Sequence, residues 1–220
     1  MAGFKGHLTF GMITAVTYCG TLLLLSHAPI LTIKAAFIAT SFASILPDID
    51  SNSGLAIQIV FALLAVLSMF TVFDTMYSGN IISLNGLLIA LGAGVTVLTI
   101  AQGAFKKVTN HRGAFHSIPM ALIFGLLTVN ILSNLAMSTL SQIIISFGVT
   151  LGYLSHLLLD ELNSLAVKST LKLKPKKSFG TALKLTSCSS FATACMYTSL
   201  SYLISSKKQT LLFALKQIVR

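Results

Sequence analysis

Long apolar runs separated by short polar stretches dominate the chain. A helix that crosses a membrane needs about 20 mostly apolar residues, and seven runs approach that length: 7–25, 31–46, 55–73, 84–101, 115–132, 138–159 and 185–204. No internal repeat or second apolar pattern divides them. The pattern therefore predicts an all-α, polytopic membrane protein with about seven transmembrane helices in a single domain, residues 1–220.

The composition supports a membrane protein. Of 220 residues, 55% are hydrophobic and 9% are charged, whereas soluble domains carry about 25% charged residues. In a membrane protein, the net charge of +10 mainly sets the orientation of the chain and favours contact with anionic lipids. Nucleic-acid binding is the other interpretation of a basic chain, but no basic stripe with interleaved aromatic residues occurs, so no nucleic-acid partner is expected.

The positive charges are unevenly distributed between the predicted loops. With seven spans, the N-terminus, the turn at 47–54 and the stretches 102–113 and 161–184 share one side, which carries ten of the fifteen lysines and arginines. The positive-inside rule assigns this side to the cytoplasm. The tail then falls on the other side with four cations. Alternatively, residues 209–220 lie along the interface as a short amphipathic helix.

Histidines and acids concentrate at the same predicted face. Seven of them lie at the cytoplasmic ends of the spans: His7, Asp48, Asp50, His111, His116, His156 and Asp160. Charged groups at membrane depth cost about 2.5–3.5 kcal/mol each and usually mark function. Imidazole and carboxylate ligands suit a divalent metal, zinc first, with manganese or iron as alternatives. His27 and Asp74 fall on the other face and are interpreted as ordinary surface residues.

Most of these residues, and Arg112 in the basic stretch 102–113, also have a simpler interpretation. His156 and Asp160 share one helical face, where they either chelate a metal or form a hydrogen-bonded pair. Asp48 and Asp50 are either turn or cap acids, or two close carboxylates whose repulsion a bound cation relieves. Arg112 either contacts lipid or holds an anion together with helix-end N–H groups.

Four motifs carry a resemblance to a known family. They are H-x-x-x-G at 7–11, L-P-D-I-D at 46–50, H-R-G-x-x-H-S at 111–117 and H-L-L-L-D at 156–160. Over nearly all of residues 1–185 the chain resembles the YdjM-like family of inner-membrane metal-dependent hydrolases of bacteria and archaea, LexA-regulated in some members. Many members carry a Thr-Pro stretch after the last aspartate, whereas this chain continues with Glu161, Leu162 and Asn163.

The resemblance implies a phospholipase-like or phosphoesterase-like enzyme. We expect a metal held by the seven histidines and acids to lower the pKa of a bound water. Arg112 is expected to bind an anionic group. Glu161 is turned about 100° from Asp160 on a helix, so it is a candidate general base or lysine partner. Because a lipid reaches such a site laterally, a phospholipid is the expected substrate.

Two other functions use the same ligands. A non-enzymatic metal transporter or sensor is the main alternative, although transport sites usually lie near the bilayer midplane, and the predicted ligands lie at span ends. A structural membrane protein with a metal staple is the third possibility. No pattern in the sequence predicts an oligomeric state.

Overall fold

The computed structural model describes residues 3–26, 28–51, 54–76, 83–109, 113–167, 173–175, 180 and 183–218. Its helices are α1 (Phe4–Leu25), α2 (Ile30–Ala43), α3 (Leu55–Met76), α4 (Leu84–Thr96), α5 (Gln102–Val108), α6 (Ile118–Leu132), α7 (Thr139–Ser164), α8 (Ser190–Ser206) and α9 (Lys208–Ile218). A 3-10 helix, Leu46–Asp50, follows α2, and π-helical Val97–Ala101 joins α4 to α5. The antiparallel strands β1 (Leu165–Val167) and β2 (Leu173–Pro175) pair Leu165 with Pro175.

Within the described residues, four helices are long and apolar enough to cross a membrane. They are Phe4–Leu25, Leu55–Met76, Leu84–Val108 and Thr139–Ser164. The apolar helices α2 and α6 are shorter, with 14 and 15 residues. These helices confirm a helical protein with membrane-spanning segments. The count of seven spans stays a prediction.

Several helix ends differ from the sequence-based prediction. Residues 102–108, predicted as part of a basic loop, form α5, whose last turn carries Lys106 and Lys107. Cations there interact favourably with the negative end of the helix dipole. The last predicted span begins later, at Ser190, because the Ser189 side chain caps α8 by accepting the N–H of Ala192.

The chain forms two compact units. The first comprises residues 1–47 and 112–220, and the second comprises residues 48–111. In the second unit α3 packs against α4, and Phe61 contacts Phe105. In the first unit α7 packs against α1, α2 and α6, while α8 packs on α6. The central position of α7 explains why 61% of the residues in its most apolar segment are buried, against 17% in that of α1. The prediction of a single domain stays untested.

Large apolar side chains cover much of the outer surface. Leu24, Leu25 and Phe191 are 85%, 81% and 79% exposed. Water-soluble proteins rarely expose extended apolar surfaces, whereas a lipid environment requires them. The surface therefore agrees with a location in a membrane.

Candidate metal centre

Helices α1 and α7 each carry a stripe, that is, a row of buried residues that includes predicted metal ligands. Each stripe has a residue at every fourth position, so its members share one helical face. In α1 the stripe is His7, Gly11, Ala15 and Cys19. In α7 it includes Gly148, Gly152, His156 and Asp160. Small residues at this spacing let helix backbones approach closely in membranes, so both stripes direct their histidines toward neighbouring helices.

The glycines of these stripes bring α1 and α7 against the C-terminal end of α2. A Cβ atom at Gly152 would overlap the carbonyl oxygen of Thr40, and one at Gly11 would overlap the side chain of Ser44. Ser44 is the residue that ends α2. Only glycine fits at these two contacts without moving the helices apart. The three helices therefore meet at one end of the first unit.

Three imidazole rings surround the carboxylate of Asp160. Nε2 of His7 lies 3.4 Å from Oδ1 of Asp160. On the other carboxylate oxygen, Oδ2, the Nε2 atoms of His116 and His156 lie at 3.7 Å and 3.9 Å. All four side chains are buried, with at most 2% exposure. The structure thus brings together four of the residues singled out in the sequence.

The rings are packed against one another. His7 stacks on His156 with 3.6 Å between ring centroids and 12° between ring planes. His116 meets His156 edge-on, at 5.5 Å and 74°. This packing restricts rotation of the rings, so the nitrogens are held near the carboxylate before any ligand binds.

A main-chain carbonyl fixes the proton position on His156. Nδ1 of His156 lies 2.7 Å from the carbonyl oxygen of Ser44. Because a carbonyl only accepts hydrogen bonds, Nδ1 must be the donor, and the lone pair of the neutral ring is then on Nε2. That nitrogen is the one near Asp160. Metal-binding histidines are typically oriented by such a second hydrogen bond.

His116 reaches the cluster from extended backbone. The sequence placed it in the first turn of a helix, but α6 begins at Ile118 and the preceding Ser117 has φ −149° and ψ 150°. The Ser117 hydroxyl donates to the carbonyl of Ala114 at 2.6 Å. This bond holds the segment in a turn before the helix, which explains the later start of α6.

Two further contacts hold this segment in place. The Tyr153 hydroxyl of α7 donates to the carbonyl of Phe115 at 2.5 Å. The N–H of Ile118 donates to the carbonyl of Lys184 at 3.0 Å. His116 lies between these anchored positions, so its approach to Asp160 is set by α7 and by the end of the basic stretch.

The spacing of the nitrogen and oxygen atoms fits a metal ion. Two ligands at about 2.0–2.1 Å from a tetrahedral ion are about 3.4 Å apart, and the three measured distances are 3.4, 3.7 and 3.9 Å. Ligand atoms of His7, His156 and Asp160 all lie within 4.8 Å of one another. Nδ1 of His7 is buried without a hydrogen bond to any described residue. The donor set does not distinguish zinc from manganese or iron.

Four other predicted ligands or anchors lie in the second unit or outside the described residues. Asp48 and Asp50 lie in the 3-10 helix and belong to the second unit, and Asp50 is buried. His111 and Arg112 lie outside the described residues, as does His27. Their roles stay predictions.

Glu161 faces a different partner. Its Oε1 accepts the N–H of Gly180 at 2.5 Å, and Gly180 has φ 79°, a left-handed conformation that favours glycine. The carboxylate therefore ties the end of α7 to the basic stretch. Its predicted role as general base or lysine partner stays a prediction. Asp74 is exposed on α3, as expected for a surface residue.

Sequence reasoning missed the residues that position the ligands. The carbonyl of Ser44 and the hydroxyl of Tyr153 contact the cluster or its supporting backbone. The spacing of Gly148 and Gly152 ahead of His156 was a readable signal, because glycine at every fourth position predicts close helix packing. No sequence pattern indicates the Ser44 carbonyl, since every residue carries one.

Comparison with known proteins gives one informative match. A family model described as YdjM inner membrane protein matches residues 1–218. No curated protein and no solved structure matches the chain. The match spans all four motifs, so the resemblance seen in the sequence is confirmed.

Proposed function

We propose a function for this chain from the premise that it belongs to the YdjM inner membrane protein family. The proposed function is a membrane-bound, metal-dependent hydrolase that cleaves an ester or phosphoester bond in a lipid-like substrate, with phospholipids as the expected class. One observation carries it: three imidazole nitrogens converge within 3.9 Å of one buried carboxylate. Such a cluster at membrane depth is costly unless it has a function.

The proposed metal ligands fall into two groups. The described cluster contributes His7, His116, His156 and Asp160, and the proposal adds Asp48, Asp50 and His111. A bound divalent ion supplies Lewis-acid activation of water. The chain's own contribution is orientation: the Ser44 carbonyl keeps the proton of His156 on Nδ1, away from the proposed ion.

Two charged residues complete the proposed machinery. Arg112 binds the anionic group of the substrate, because a guanidinium pairs with phosphate through two parallel hydrogen bonds. It precedes by four residues His116, which is buried beside Asp160. Glu161 acts as general base. It adjoins Asp160 on α7, and its carboxylate lies near the basic stretch through its bond to Gly180.

We further propose seven crossings with the site at the cytoplasmic face. The start of α1, the start of α6 and the end of α7 all contribute to one cluster, so α1 and α6 run in the same direction and α7 runs in the opposite one. Helix α8 runs beside α6 in the same direction: Met196 contacts Ser117 near the site, and Lys207 contacts Ser133 at the far end. This direction supports a further crossing by α8.

The central experiment measures bound metal and phospholipid cleavage on the same purified protein. We expect wild-type protein to carry a divalent metal and to lose cleavage on treatment with a chelator. His116→Ala should lose both metal and cleavage, whereas His27→Ala, the matched control, should keep both. Protein that binds no metal and is indifferent to chelators would refute a metal-dependent hydrolase.

Complete burial of the cluster favours a second candidate. A substrate needs access to the metal, whereas a sensor, a transporter or a structural staple can hold its ion in a closed site, and these four side chains are at most 2% exposed. Metal flux into proteoliposomes separates these functions. Flux that requires His116 identifies a transporter. Bound metal without flux or hydrolysis identifies a sensor or a staple.

A further inference from the structure

A second feature of the first unit lies away from the His–Asp cluster. A cavity of about 610 Å³ opens between α1, α6 and α7 and is covered by α8 and α9. Ligand pockets usually measure roughly 300–1,000 Å³. Its lining includes Leu22 near the end of α1, Val129 near the end of α6 and Ile143 near the start of α7. These positions are at the bundle end opposite the cluster.

The walls of this cavity offer a ligand almost no hydrogen bonds. The Tyr18 hydroxyl donates to the carbonyl of Ile144 at 2.8 Å, and the Ser146 hydroxyl donates to that of Gln142 at 2.6 Å. The Thr150 hydroxyl donates to the carbonyl of Ser146 at 3.2 Å. The remaining lining is mainly aliphatic. Apolar cavities stay dry and bind apolar molecules, so this lining favours a hydrocarbon occupant.

The cavity is open to molecules within the membrane. Two of its lining side chains, Phe147 and Ile204, are 53% and 45% exposed. A helix with side chains is about 10 Å across, so a cavity of 610 Å³ holds little more than one turn of a partner helix. An acyl chain is thin enough to enter between these residues.

Two lysines stand at the corner where the covering helices meet. Ile204 at the end of α8 and Thr210 at the start of α9 both line the cavity, and Lys207 and Lys208 lie between them in the chain. Nζ of Lys207 is held at 2.8 Å from the hydroxyl of Ser133 at the end of α6. Lys208 is exposed. Lysines near an anionic membrane surface attract lipid headgroups by about 1 kcal/mol each.

We propose that this cavity binds one anionic phospholipid, with an acyl chain between α6, α7 and α9 and the phosphate at the Lys207–Lys208 corner. The site is separate from the His–Asp cluster and does not depend on hydrolysis. It also gives two cations of the basic tail, Lys207 and Lys208, a function that topology alone left unexplained: they hold a lipid of the leaflet opposite the cluster.

The test uses the full chain, extracted from cell membranes in mild detergent and analysed by native mass spectrometry with identification of the retained lipid. We expect one anionic phospholipid on wild-type protein. Ala214→Phe places a ring in the cavity from α9 and should abolish retention. Ala194→Phe, on an exposed position of α8 outside the lining, is the matched control and should retain the lipid.

A second experiment tests Lys207 and Lys208 independently of Ala214→Phe, the variant that fills the cavity. After exchange into a mixture of phosphatidylglycerol and phosphatidylcholine, the preference for the anionic lipid should fall roughly fivefold for each lysine replaced by Gln at positions 207 and 208. Lys216→Gln on α9 should leave the preference unchanged. The site is refuted by wild-type protein without phospholipid, by equal retention in Ala214→Phe, or by an unchanged preference in the double lysine variant.

Discussion

At the scale of single residues, Asp160 is the point on which the cluster converges. Three Nε2 atoms lie within 3.9 Å of its carboxylate. If these groups bind a metal, the ion stabilises the folded state, by about 2.7 kcal/mol when its concentration is a hundred times the Kd. We therefore predict that metal raises the melting temperature of apo wild-type protein and that Asp160→Asn abolishes this rise, as measured by thermal unfolding in detergent.

The control for this prediction is Asp74→Asn. Asp74 is an exposed acid on α3, so its variant should respond to metal as wild-type protein does. An equal metal-dependent rise in Asp160→Asn would show that the ion binds elsewhere.

Tyr153 tests how the backbone before α6 positions His116. Tyr153→Phe removes the donor to the Phe115 carbonyl, and the loss of one hydrogen bond typically costs about 0.5–1.5 kcal/mol. Loss of a supporting contact typically weakens metal binding 10–100-fold. Isothermal titration calorimetry should therefore show a higher Kd for the metal and an unchanged stoichiometry. Tyr202→Phe, at a position 72% exposed on α8, should titrate like wild-type protein, and unchanged affinity in Tyr153→Phe would contradict the positioning role.

The identity of the ligands was more predictable than their support. His7, His156 and Asp160 stood out in the sequence because polar groups inside apolar runs are costly. The hydrogen bond from His156 to the Ser44 carbonyl could not be predicted, since it joins residues 112 positions apart. The start of α6 was misplaced because hydropathy does not reveal the hydrogen bond from the Ser117 hydroxyl to the Ala114 carbonyl, which holds the preceding segment in a turn.

At the scale of helices, glycine contacts set the distance between α2 and α7. Gly152→Ala would drive a methyl group into the Thr40 carbonyl, and overpacking of this kind costs about 1–3 kcal/mol. The helices would separate and move the Ser44 carbonyl away from His156. We predict a lower melting temperature and weaker metal binding for this variant.

Gly20→Ala is the matched control for Gly152→Ala. Both positions lie inside helices, but an added Cβ at Gly20 meets nothing within 4 Å. Alanine is favoured over glycine by about 1 kcal/mol in a helix, so the control should be neutral or more stable. Equal destabilisation of both variants would show that the contact with Thr40 is unimportant.

Hydropathy predicted that most of the helices exist, but it did not predict where they end. Long apolar runs predicted α1, α3 and α7 because a membrane requires continuous apolar segments. Hydropathy did not predict α5, whose two lysines favour its C-terminal turn. The antiparallel ribbon of β1 and β2 lies in a stretch whose sequence carries no strand signal.

At the scale of the whole molecule, helix directions and charge agree on a topology. The cluster is built at the start of α1, the start of α6 and the end of α7, and the sequence assigns most cations to this end. The opposite end carries Lys34 near the start of α2 and Lys208 at the start of α9. Because lysines favour the cytoplasmic side, we predict that Lys5 is cytoplasmic and that Lys34 and Lys208 face the other side.

Single cysteines at these three exposed positions test the topology, in a background where Cys19, Cys188 and Cys195 are replaced by alanine. In right-side-out vesicles, a membrane-impermeant maleimide should label Lys34→Cys and Lys208→Cys but not Lys5→Cys, and permeabilised vesicles should label all three. Labelling of Lys5→Cys alone would reverse the orientation and move the cluster outside. Labelling of Lys34→Cys without Lys208→Cys would show that α8 does not cross. Lys207 and Ser133 would then lie on opposite sides of the membrane, which contradicts their 2.8 Å contact.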